Sequence, residues 1–531
     1  MKTKDIIQRL SLFLFVLVLA IPAWTQGSND ISIGSKADWQ AFCNRVNNGE
    51  TGLNAIMTAD VDLGTDIVML GTEEHLYSGS FDGQGHTLSI DWDGGSMNDM
   101  APFRYVGSAT LKNLHTQGKI TTSGRALSGL VMDIYGTTTL SNCVSEVNIT
   151  SSYDGAGNFG GMIQYVGRSA NVIITDCIVK GNITATTDSG RKSIAGFVFT
   201  QLGTCTLNNC LYIGTNNAFN TIITFSKNFA WDATINNCYY LHPCGTSQGT
   251  QVTADQLKNG EVTKLLQADR TDACYWAQQL GEMPDLYSEG DKSKTNYVYY
   301  DTPNAKWVCE NFVLTDGTPL PIGIDFTAAT VTNTRTLAAD KATLCLPYEL
   351  PISGFKAYIL SNTQGNAGAV RFKKVNDRLE AYKPYLLTAN GTPQLGGNDI
   401  EMKAFDNQPT ETIASGYIFK SAINGVDNAT AAAANAYILQ DDGKFHKVTT
   451  DNTSATIPPY RAYITRNGSQ GAKEFSIFLD DETTDIHGVT GVAPSMNGRV
   501  YDLQGRRQKE TRPGVNIVKM SDGTTRKIIK K

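Results

Sequence analysis

A segment of about thirty residues recurs five times between residues 109 and 245, and this repeat restricts the fold more than any other feature of the sequence. The sixth position of each copy is Leu114 or a cysteine, at Cys143, Cys177, Cys210 and Cys238. A unit this short cannot bury its own apolar face, so neighbouring units must stack to form a core. The five openings are ATLKNL at 109–114, TTLSNC at 138–143, VIITDC at 172–177, CTLNNC at 205–210 and ATINNC at 233–238.

Each repeat contains about three short strand patterns and no helical periodicity. In every opening the third residue is apolar, as in Leu111 and Leu140, and an Asn or Asp follows two places later. Residues two apart in a strand share one face, so these apolar residues predict one buried column. Three repeats add a Gly-rich apolar strand, at 127–134, 159–166 and 194–201, with a polar strand pattern between the two elements.

These patterns predict an all-β chain that begins with a right-handed parallel β-helix over residues 30–290. Parallel strands of stacked units would lie about 4.8 Å apart and would bury the Leu and Cys positions in a continuous core. A β-propeller or a sandwich of antiparallel hairpins is the alternative. A propeller blade usually needs about 40 residues or more, and the repeats lack the tight Asn-Gly turns of hairpins.

The recurring cysteines Cys143, Cys177, Cys210 and Cys238 allow two interpretations. Stacked units bring Cα atoms within disulfide reach, so bonding or metal binding is possible on distance alone. Free cysteine also packs well as a small apolar side chain, and we favour packing. The Asn before Cys143, Cys210 and Cys238 predicts a ladder in which each Asn bonds its own neighbouring main chain at a turn.

The N-terminus, residues 1–25, has the three-part layout of a secretory signal peptide. Lys2, Lys4 and Arg9 precede an apolar stretch at 10–21, and small residues then allow cleavage after Thr25. The apolar stretch is shorter than the roughly 20 residues that span a bilayer, which argues against the alternative of a membrane anchor. We therefore expect a secreted or cell-surface protein, on the exterior of the outer membrane.

Charge and motif content exclude several functions. The net charge is −6 and only 18% of residues are charged, so a nucleic-acid partner is not expected. No CxxC pair occurs and the histidines are scattered, so we predict no metal and no cofactor. Asp82 and His86 resemble a catalytic dyad by spacing alone, and turn roles account for both. Carboxylates do not recur at equivalent repeat positions, as paired catalytic groups on stacked units would. We therefore expect no enzyme.

The flanks of the repeat predict two end caps. Trp39, Phe42 and Val46 have helical spacing, which indicates a short amphipathic helix that closes the first end. Residues 253–267 are also in helical register, and they lead to Trp276 in a candidate cap for the other end.

These flanks carry a family resemblance. The order of Trp39, the Asp60 and Asp62 pair, FDGQGHT at 81–87, the Gly-rich strands, and then Trp276 to Leu286 resembles the GLUG-type β-helix of Bacteroidales surface and adhesin-like proteins. The resemblance covers roughly residues 30–290. It implies an exported, surface-associated protein with a role in adhesion, and it names no ligand.

The remaining chain predicts a linker at 288–300, one or two antiparallel β-sandwich lobes at 301–480, and a small β module at 485–531. The module resembles the C-terminal sorting domain of type IX secretion, through Tyr501-Asp502, Gly505-Arg506, Gly514 and a basic finish. Asn516 stands where that family often has Tyr. The resemblance implies the outer-membrane secretion machinery as a partner.

A binding role requires exposed aromatic side chains. Adjacent residues of a strand point to opposite faces, so one of Tyr239 and Tyr240 is expected to face solvent. We predict a non-catalytic surface that binds a glycan or a surface protein, with Tyr135, Tyr165, Tyr239 and Tyr240 as its candidate residues. A structural spacer of the cell surface and a glycan-cleaving β-helix enzyme are the alternatives.

Overall fold

The computed structural model describes residues 30–480 and 498–530, apart from 156, 220–223, 229–232, 338–339, 362–368, 390–392, 406–410, 415, 467–472 and 521–524. The predicted signal peptide and the start of the C-terminal module at 485 lie outside these residues. The chain forms two compact units, Met1–Leu479 and Asp480–Lys531. Among the described residues, no helix has the length and apolar character needed to cross a membrane.

The predicted parallel β-helix is confirmed, because its successive coils pair only in parallel from Ile31 to Gln251. Sheet A contains Ile31–Ile33, Ala55–Met57, Ser80–Asp82, Thr110–Lys112, Thr137–Ser141, Asn171–Thr175, Thr204–Asn208 and Thr234–Asn236. Sheet B contains Val61–Asp62, Thr87–Asp93, His115–Thr122, Val144–Ser151, Ile178–Val179, Ile183–Ala185, Leu211–Tyr212, Tyr239–Tyr240 and Thr250–Gln251.

Two smaller sheets complete each coil. Sheet C contains Phe103–Val106, Val131–Ile134, Ile163–Val166, Val198–Gln201 and Ser226–Asn228. Sheet D contains Ala126–Ser128, Asn158–Gly160 and Ile194–Ala195, and a one-turn helix at Asp188–Arg191 lies in one of the connections. The chain therefore runs through sheets A, B, D and C in each full coil.

The predicted apolar column is present in sheet A. Leu140 pairs with Leu111 on one side and with Ile174 on the other, and Leu207 follows Ile174 in the same register. These side chains are fully buried, as are Cys143, Cys177 and Cys210 just beyond the strands. The cysteines are free thiols in this structure, and burial raises the pKa of Cys177 and Cys210 well above the usual value. The packing role predicted for the cysteines is confirmed.

The residue before each column cysteine adopts the left-handed conformation, with φ of 51–52°. Asn tolerates this conformation better than most residues, which explains its recurrence at the corner. The expected bonds to neighbouring main chain are replaced by bonds along the column: Asn142 Nδ2 donates to Asn113 Oδ1 at 3.2 Å, and Asn237 Nδ2 to Asn209 Oδ1 at 2.8 Å. The corner side chains therefore bond the equivalent side chain of a neighbouring coil instead of the main chain of their own turn. We call this column of corner residues the corner ladder.

The predicted N-terminal cap is a helix at Lys36–Asn47, begun by the Ser35 side chain, which accepts from Asp38 N. Trp39 packs edge-on against Phe81 and Phe103, which belong to sheets A and C, and its indole donates to Val68 O at 3.0 Å. The helix thus closes the first end of the core, as predicted.

The second predicted cap is wrong in its position. Residues 253–287 cover the outer face of sheet B rather than the end of the stack, because that face carries apolar side chains on four coils that need a cover. The helices Ala254–Lys258 and Glu261–Gln267 and the strand Trp276–Gln279 supply this cover. The buried cluster consists of Val144, Ile178, Leu211, Tyr239, Val252, Leu257, Val262, Leu266 and Trp276.

One acidic residue of the corner ladder anchors this cover. Asp176 takes the place that Asn holds at the corners of the other four repeats, and it is buried. Arg270 donates two bonds to its carboxylate, at 2.7 and 2.8 Å, and the Trp276 indole donates a third at 2.7 Å. The change from Asn to Asp is therefore explained by the segment packed over it.

The predicted linker is wrong at its C-terminal end, because Tyr297–Asp301 pairs with Trp276–Gln279 in a six-stranded sheet. A short 3₁₀ turn occupies Glu289–Asp291, and another follows at Thr302–Asn304. The other strands of this sheet are Asp285–Leu286, Lys306–Leu314, Phe326–Asn333 and Gly397–Met402.

The predicted sandwich is confirmed in a mixed form. The six-stranded sheet packs on a ten-stranded antiparallel sheet around one core. A second core lies within the ten-stranded sheet. The six-stranded sheet is mixed, because Lys306–Leu314 and Phe326–Asn333 pair in parallel. In spatial order the ten strands are Lys341–Leu344, Tyr385–Thr388, Lys356–Ser361, Ala369–Val375, Glu474–Asp480, Phe445–Lys447, Tyr437–Leu439, Arg461–Arg466, Tyr417–Ala422 and Glu411–Ala414. Leu350–Pro351 pairs with Arg378–Leu379, and a helix spans Asn428–Ala433.

The second unit is an antiparallel β module. Its strands in spatial order are Arg507–Gln508, Gly498–Tyr501, Gly514–Met520 and Thr525–Lys530. Asn516 is buried, and its side chain bonds Arg512 N and O at 2.9 and 2.7 Å. Asn516 thus organises the turn before its own strand.

Substitutions at Asn142 test the corner ladder. Asn142→Ala should lower the free energy of unfolding by about 2 kcal/mol, because it loses the ladder bond and strains the left-handed backbone. Asn142→Gly loses only the bond and should cost about 1 kcal/mol less than Ala. Urea unfolding followed by tryptophan fluorescence measures both, and equal losses would contradict the proposed strain.

Asp176→Asn tests the anchor of the cover. The change leaves Arg270 without its carboxylate and should destabilise the β-helix by about 2–4 kcal/mol. Asp91→Asn is the matched control, because the Asp91–Lys119 pair is exposed and should contribute less than about 1 kcal/mol. Limited proteolysis should cut the Asp176→Asn variant first within 253–287, and cleavage at wild-type rates would contradict the anchoring role.

Candidate functional site

The structure places the four candidate tyrosines in different environments. Tyr135 is 44% exposed and lies beside Tyr165 on the outer surface of sheet C. The expectation that Tyr239 or Tyr240 faces solvent is wrong. Tyr239 points outward but is 8% exposed beneath the 253–287 cover, and Tyr240 is 3% exposed in the interior. Two of the four tyrosines thus come together in one accessible place.

The register of sheet C creates this place. Tyr105, Asp133, Tyr165 and Thr200 occupy equivalent positions on four successive coils. The residues directly after Tyr105, Asp133 and Tyr165, which are Val106, Ile134 and Val166, belong to the core. Adjacent residues of a strand point to opposite faces, so Tyr105, Asp133 and Tyr165 point away from the core. We call Glu73, Arg104, Asp133, Tyr135 and Tyr165 the sheet C patch; Tyr105, only 4% exposed, supports it from below.

Tyr135 and Tyr165 form the aromatic part of the sheet C patch. Their ring centroids are 6.0 Å apart with the planes at 61°, an edge-to-face arrangement that aromatic pairs favour. Gly167 supports the Tyr135 ring, since an added Cβ would lie 3.0 Å from it. The backbone N–H of Tyr135 is bonded to Val106 O at 2.9 Å, so the residue is anchored to the neighbouring coil.

Asp133 is the titratable centre of the sheet C patch. Its Oδ2 accepts a bond from the Tyr135 hydroxyl at 3.1 Å, while its buried Oδ1 has no partner among the described residues. Burial raises the pKa of Asp133 to about 7, with smaller contributions in the same direction from Asp99 and Glu73. The Tyr135 bond and Arg104 act in the opposite direction.

Polar groups continue on the first coils of the sheet. The Tyr105 hydroxyl donates to Glu73 Oε1 at 3.1 Å. The Arg104 guanidinium lies 5.3 Å from the centre of the Tyr105 ring, and its Nε donates to Asp99 O at 3.0 Å. Aromatic faces thus lie next to hydrogen-bond acceptors and one cationic donor.

This combination is suited to a polyhydroxylated ligand. Tyrosine presents a rigid apolar face and a polar tip, so it can pack against a sugar ring and still bond its hydroxyls. Glu73 can accept bonds from hydroxyl groups, and Asp133 can accept or donate according to its protonation. Asp133 is also the residue here whose properties approach those of a general acid.

Sequence reasoning identified Tyr135 and Tyr165 but missed their neighbours. Asp133 and Tyr165 are both the seventh residue of the repeated Gly-rich strand, in 127–134 and 159–166, so an alignment of those strands would have paired them. Glu73 and Arg104 precede the clearest repeats. No repeat signal marks them.

The Asp82–His86 pair does not form a dyad. His86 Nδ1 lies 3.2 Å from Asp60 Oδ1 instead. Asp82 accepts bonds from Gln84 and from Asn113 Nδ2 at 3.0 Å, and it pairs with Lys112 at 3.0 Å. Asp82 thus accepts the bond at the first end of the corner ladder, which supports the turn roles inferred from the sequence.

One cluster in the sandwich has the residue types of a metal site. Ligand atoms of Asp442, His446 and Glu474 lie within 4.8 Å of one another. His446 Nε2 is 2.8 Å from Asp442, and Lys444 Nζ is 2.5 Å from Glu474. The lysine already supplies a positive charge, so we interpret the group as an exposed ion-pair network.

Comparisons with known proteins yield little. No family model matches the chain, and no curated protein matches it either. One solved structure, described as a putative immunoglobulin A1 protease from Bacteroides ovatus, superposes with a TM-score of 0.35 and 14% sequence identity. The match covers 50% of this chain and 94% of that one. A likeness this weak carries no argument about function.

Asp133→Asn tests the buried carboxyl through the pH dependence of stability. The folded state holds a proton on Asp133 up to about pH 7, whereas an unfolded Asp loses it near pH ~4. Ionisation of Asp133 therefore makes wild-type stability fall as the pH rises between these values. The neutral variant avoids this loss. Its unfolding free energy should exceed that of wild type by on the order of 2 kcal/mol at about pH 8, with little difference at about pH 4.

Chemical unfolding at a series of pH values measures this difference. Asp91→Asn, at an exposed ion pair of sheet B, is the control and should show no such trend. If the unfolding free energies of Asp133→Asn and wild type differ by the same amount at every pH, the pKa of Asp133 is not raised by folding.

Proposed function

We infer that the chain is an exported, surface-associated, adhesin-like protein that binds a glycan through the sheet C patch. The observation that carries this proposal is the contact of exposed Tyr135 with half-buried Tyr165, beside the Asp133 Oδ1 atom that has no partner among the described residues. An orphaned buried oxygen has a free-energy cost that a ligand hydroxyl can remove. Exposed aromatic rings next to it supply the apolar contact that such a ligand needs.

The composition of the sheet C patch favours a glycan over a protein ligand. Stable protein interfaces have an apolar centre from which charged residues are depleted. Here Asp133 lies between the aromatic residues, and Glu73 and Arg104 adjoin them. Polar groups interleaved with aromatic faces match the alternation of hydroxyls and C–H faces on a sugar.

The export part of the proposal rests on the two ends of the sequence. The signal-like residues 1–25 support passage out of the cytoplasm. The resemblance of residues 485–531 to a sorting domain supports transfer by outer-membrane secretion machinery, and the antiparallel strands of that module are compatible with it. The GLUG-type resemblance supports a role at the cell surface.

A second function has one specific observation in its favour. Glycosidases use a carboxylic acid of raised pKa with a second, ionised carboxylate. Asp133 has the raised pKa, and Glu73 and Asp99 are close enough to contribute to it. Glycan cleavage at the same patch is therefore the alternative to binding alone.

The test is a glycan array probed with the purified chain, followed by calorimetry on the strongest binder. Tyr135→Ala and Tyr165→Ala should each weaken binding about tenfold or more, because each removes a face that packs against the sugar. Tyr153→Ala, in the turn after Val144–Ser151, is the matched control and should bind as wild type does. A reducing-sugar assay on the same glycans reports cleavage.

Three results would contradict the proposal. Binding that survives loss of both Tyr135 and Tyr165 would place the site elsewhere. No binding to any glycan would favour a structural spacer. Release of reducing ends that Asp133→Asn abolishes would establish the enzymatic alternative.

A further inference from the structure

A second region of interest is a cavity of about 430 Å³ in the sandwich. It lies between the first strand of the ten-stranded sheet, Lys341–Leu344, and the strands Tyr437–Leu439 and Arg461–Arg466. The loop 452–458 forms another wall. Its volume falls in the range of small-molecule sites.

Arg335 is a half-buried arginine in the lining of this cavity. A guanidinium has five N–H donors, yet the side-chain hydrogen bond of Arg335 within the described part of the chain goes to a backbone oxygen, Thr343 O, at 2.6 Å. Burial lowers the pKa of Arg335 to about 9, and the neighbouring Arg461 acts in the same direction. A partly desolvated guanidinium is stabilised by an anion that bonds its free N–H groups.

The surrounding charges do not balance Arg335. Arg461 also lines the cavity, and it holds Asp316 at 2.7 Å, so one carboxylate serves two guanidinium groups. Lys341 adds a third positive charge to the lining, and Asp441 is the acidic residue among the lining residues. The cavity therefore carries excess positive charge.

The rest of the lining combines neutral polar side chains with apolar ones such as Leu337, Ile438 and Ile457. Hydroxyl and amide side chains surround the three basic residues, and they can bond the hydroxyl groups of a ligand. None of the described residues that line the cavity is aromatic. The hydroxyl and amide side chains that line the cavity belong to Thr336, Thr343, Gln440, Asn452, Ser454 and Thr456.

We propose that this cavity binds a sugar that carries a carboxylate, with the Arg335 guanidinium as its counter-ion. The planar guanidinium matches a carboxylate with two parallel hydrogen bonds, and the neutral lining accepts the hydroxyls of the ring. The site is separate from the sheet C patch. Charge would select the ligand of the cavity, whereas contact with aromatic side chains would select the ligand of the sheet C patch.

Calorimetry on the full chain at low ionic strength tests the proposal with four probes: galacturonate, galactose, inorganic sulfate and inorganic phosphate. Galacturonate should bind about tenfold or more tightly than galactose. It should also bind more tightly than sulfate and phosphate. Arg335→Gln should lose galacturonate binding by about tenfold or more, and Arg335→Lys should retain part of it because the charge remains.

Thermal melting shows whether Arg335→Gln still folds. Its melting temperature should equal or exceed that of wild type, because the substitution removes a positive charge that lies near Arg461. Galacturonate should raise the melting temperature of wild type but not of Arg335→Gln. Arg378→Gln, at an exposed arginine paired with Glu349, is the matched control and should behave as wild type.

Three outcomes would overturn the assignment. Equal affinity for galacturonate and galactose would remove the role of charge. Tighter binding of sulfate or phosphate would mean a general anion site. Unchanged galacturonate binding by Arg335→Gln would place the ligand elsewhere. Because Tyr135→Ala and Tyr165→Ala leave this cavity intact, failure here and failure at the sheet C patch are distinguishable.

Discussion

Backbone hydrogen bonds between successive coils hold the β-helix in one register, and the surface features described above follow from that register. Leu140 lies between Leu111 and Ile174 although the repeats differ in length. The extra residues are accommodated in connections such as the short helix Asp188–Arg191. Equivalent side chains therefore stack whatever their chemistry: leucines in the core, asparagines at the corner, and tyrosines with Asp133 on sheet C.

The buried and half-buried charges of the molecule differ in how many partners they have. Asp176 is buried with three donors and anchors the segment that covers sheet B. Asp133 and Arg335 are half-buried; Asp133 Oδ1 has no partner among the described residues, and Arg335 donates to the backbone oxygen of Thr343. Folding alone gains nothing from an unsatisfied buried group. We propose that ligands complete the hydrogen bonding of Asp133 and of Arg335.

Much of the fold was predictable because its signal is local and repeated. The alternation around Leu111 and its equivalents revealed the strands, and their spacing revealed the stack. The fate of 253–287 was not predictable, because its helical pattern shows an apolar face without showing which surface that face covers. The prediction that Tyr239 or Tyr240 is exposed was wrong for the same reason. The strand directs Tyr239 outward, and the distant segment 253–287 then covers it.

The candidate site was predictable only in its aromatic half. Tyr135 and Tyr165 stand out by residue type, whereas Asp133 acquires its raised pKa from burial and from Glu73 and Asp99, which approach it through the fold. Arg335 gives no sequence signal at all, since its unusual state depends on burial and on Arg461, which is distant in the sequence.

Hydroxyl-radical footprinting of the tyrosines, with and without the glycan selected on the array, tests the central claim most directly. If stacked coils build one binding surface, the oxidation rates of Tyr135 and Tyr165 should fall together when the glycan binds. The oxidation rate of Tyr153 should stay unchanged. Protection of only one of the pair, or of tyrosines in the sandwich instead, would contradict the account.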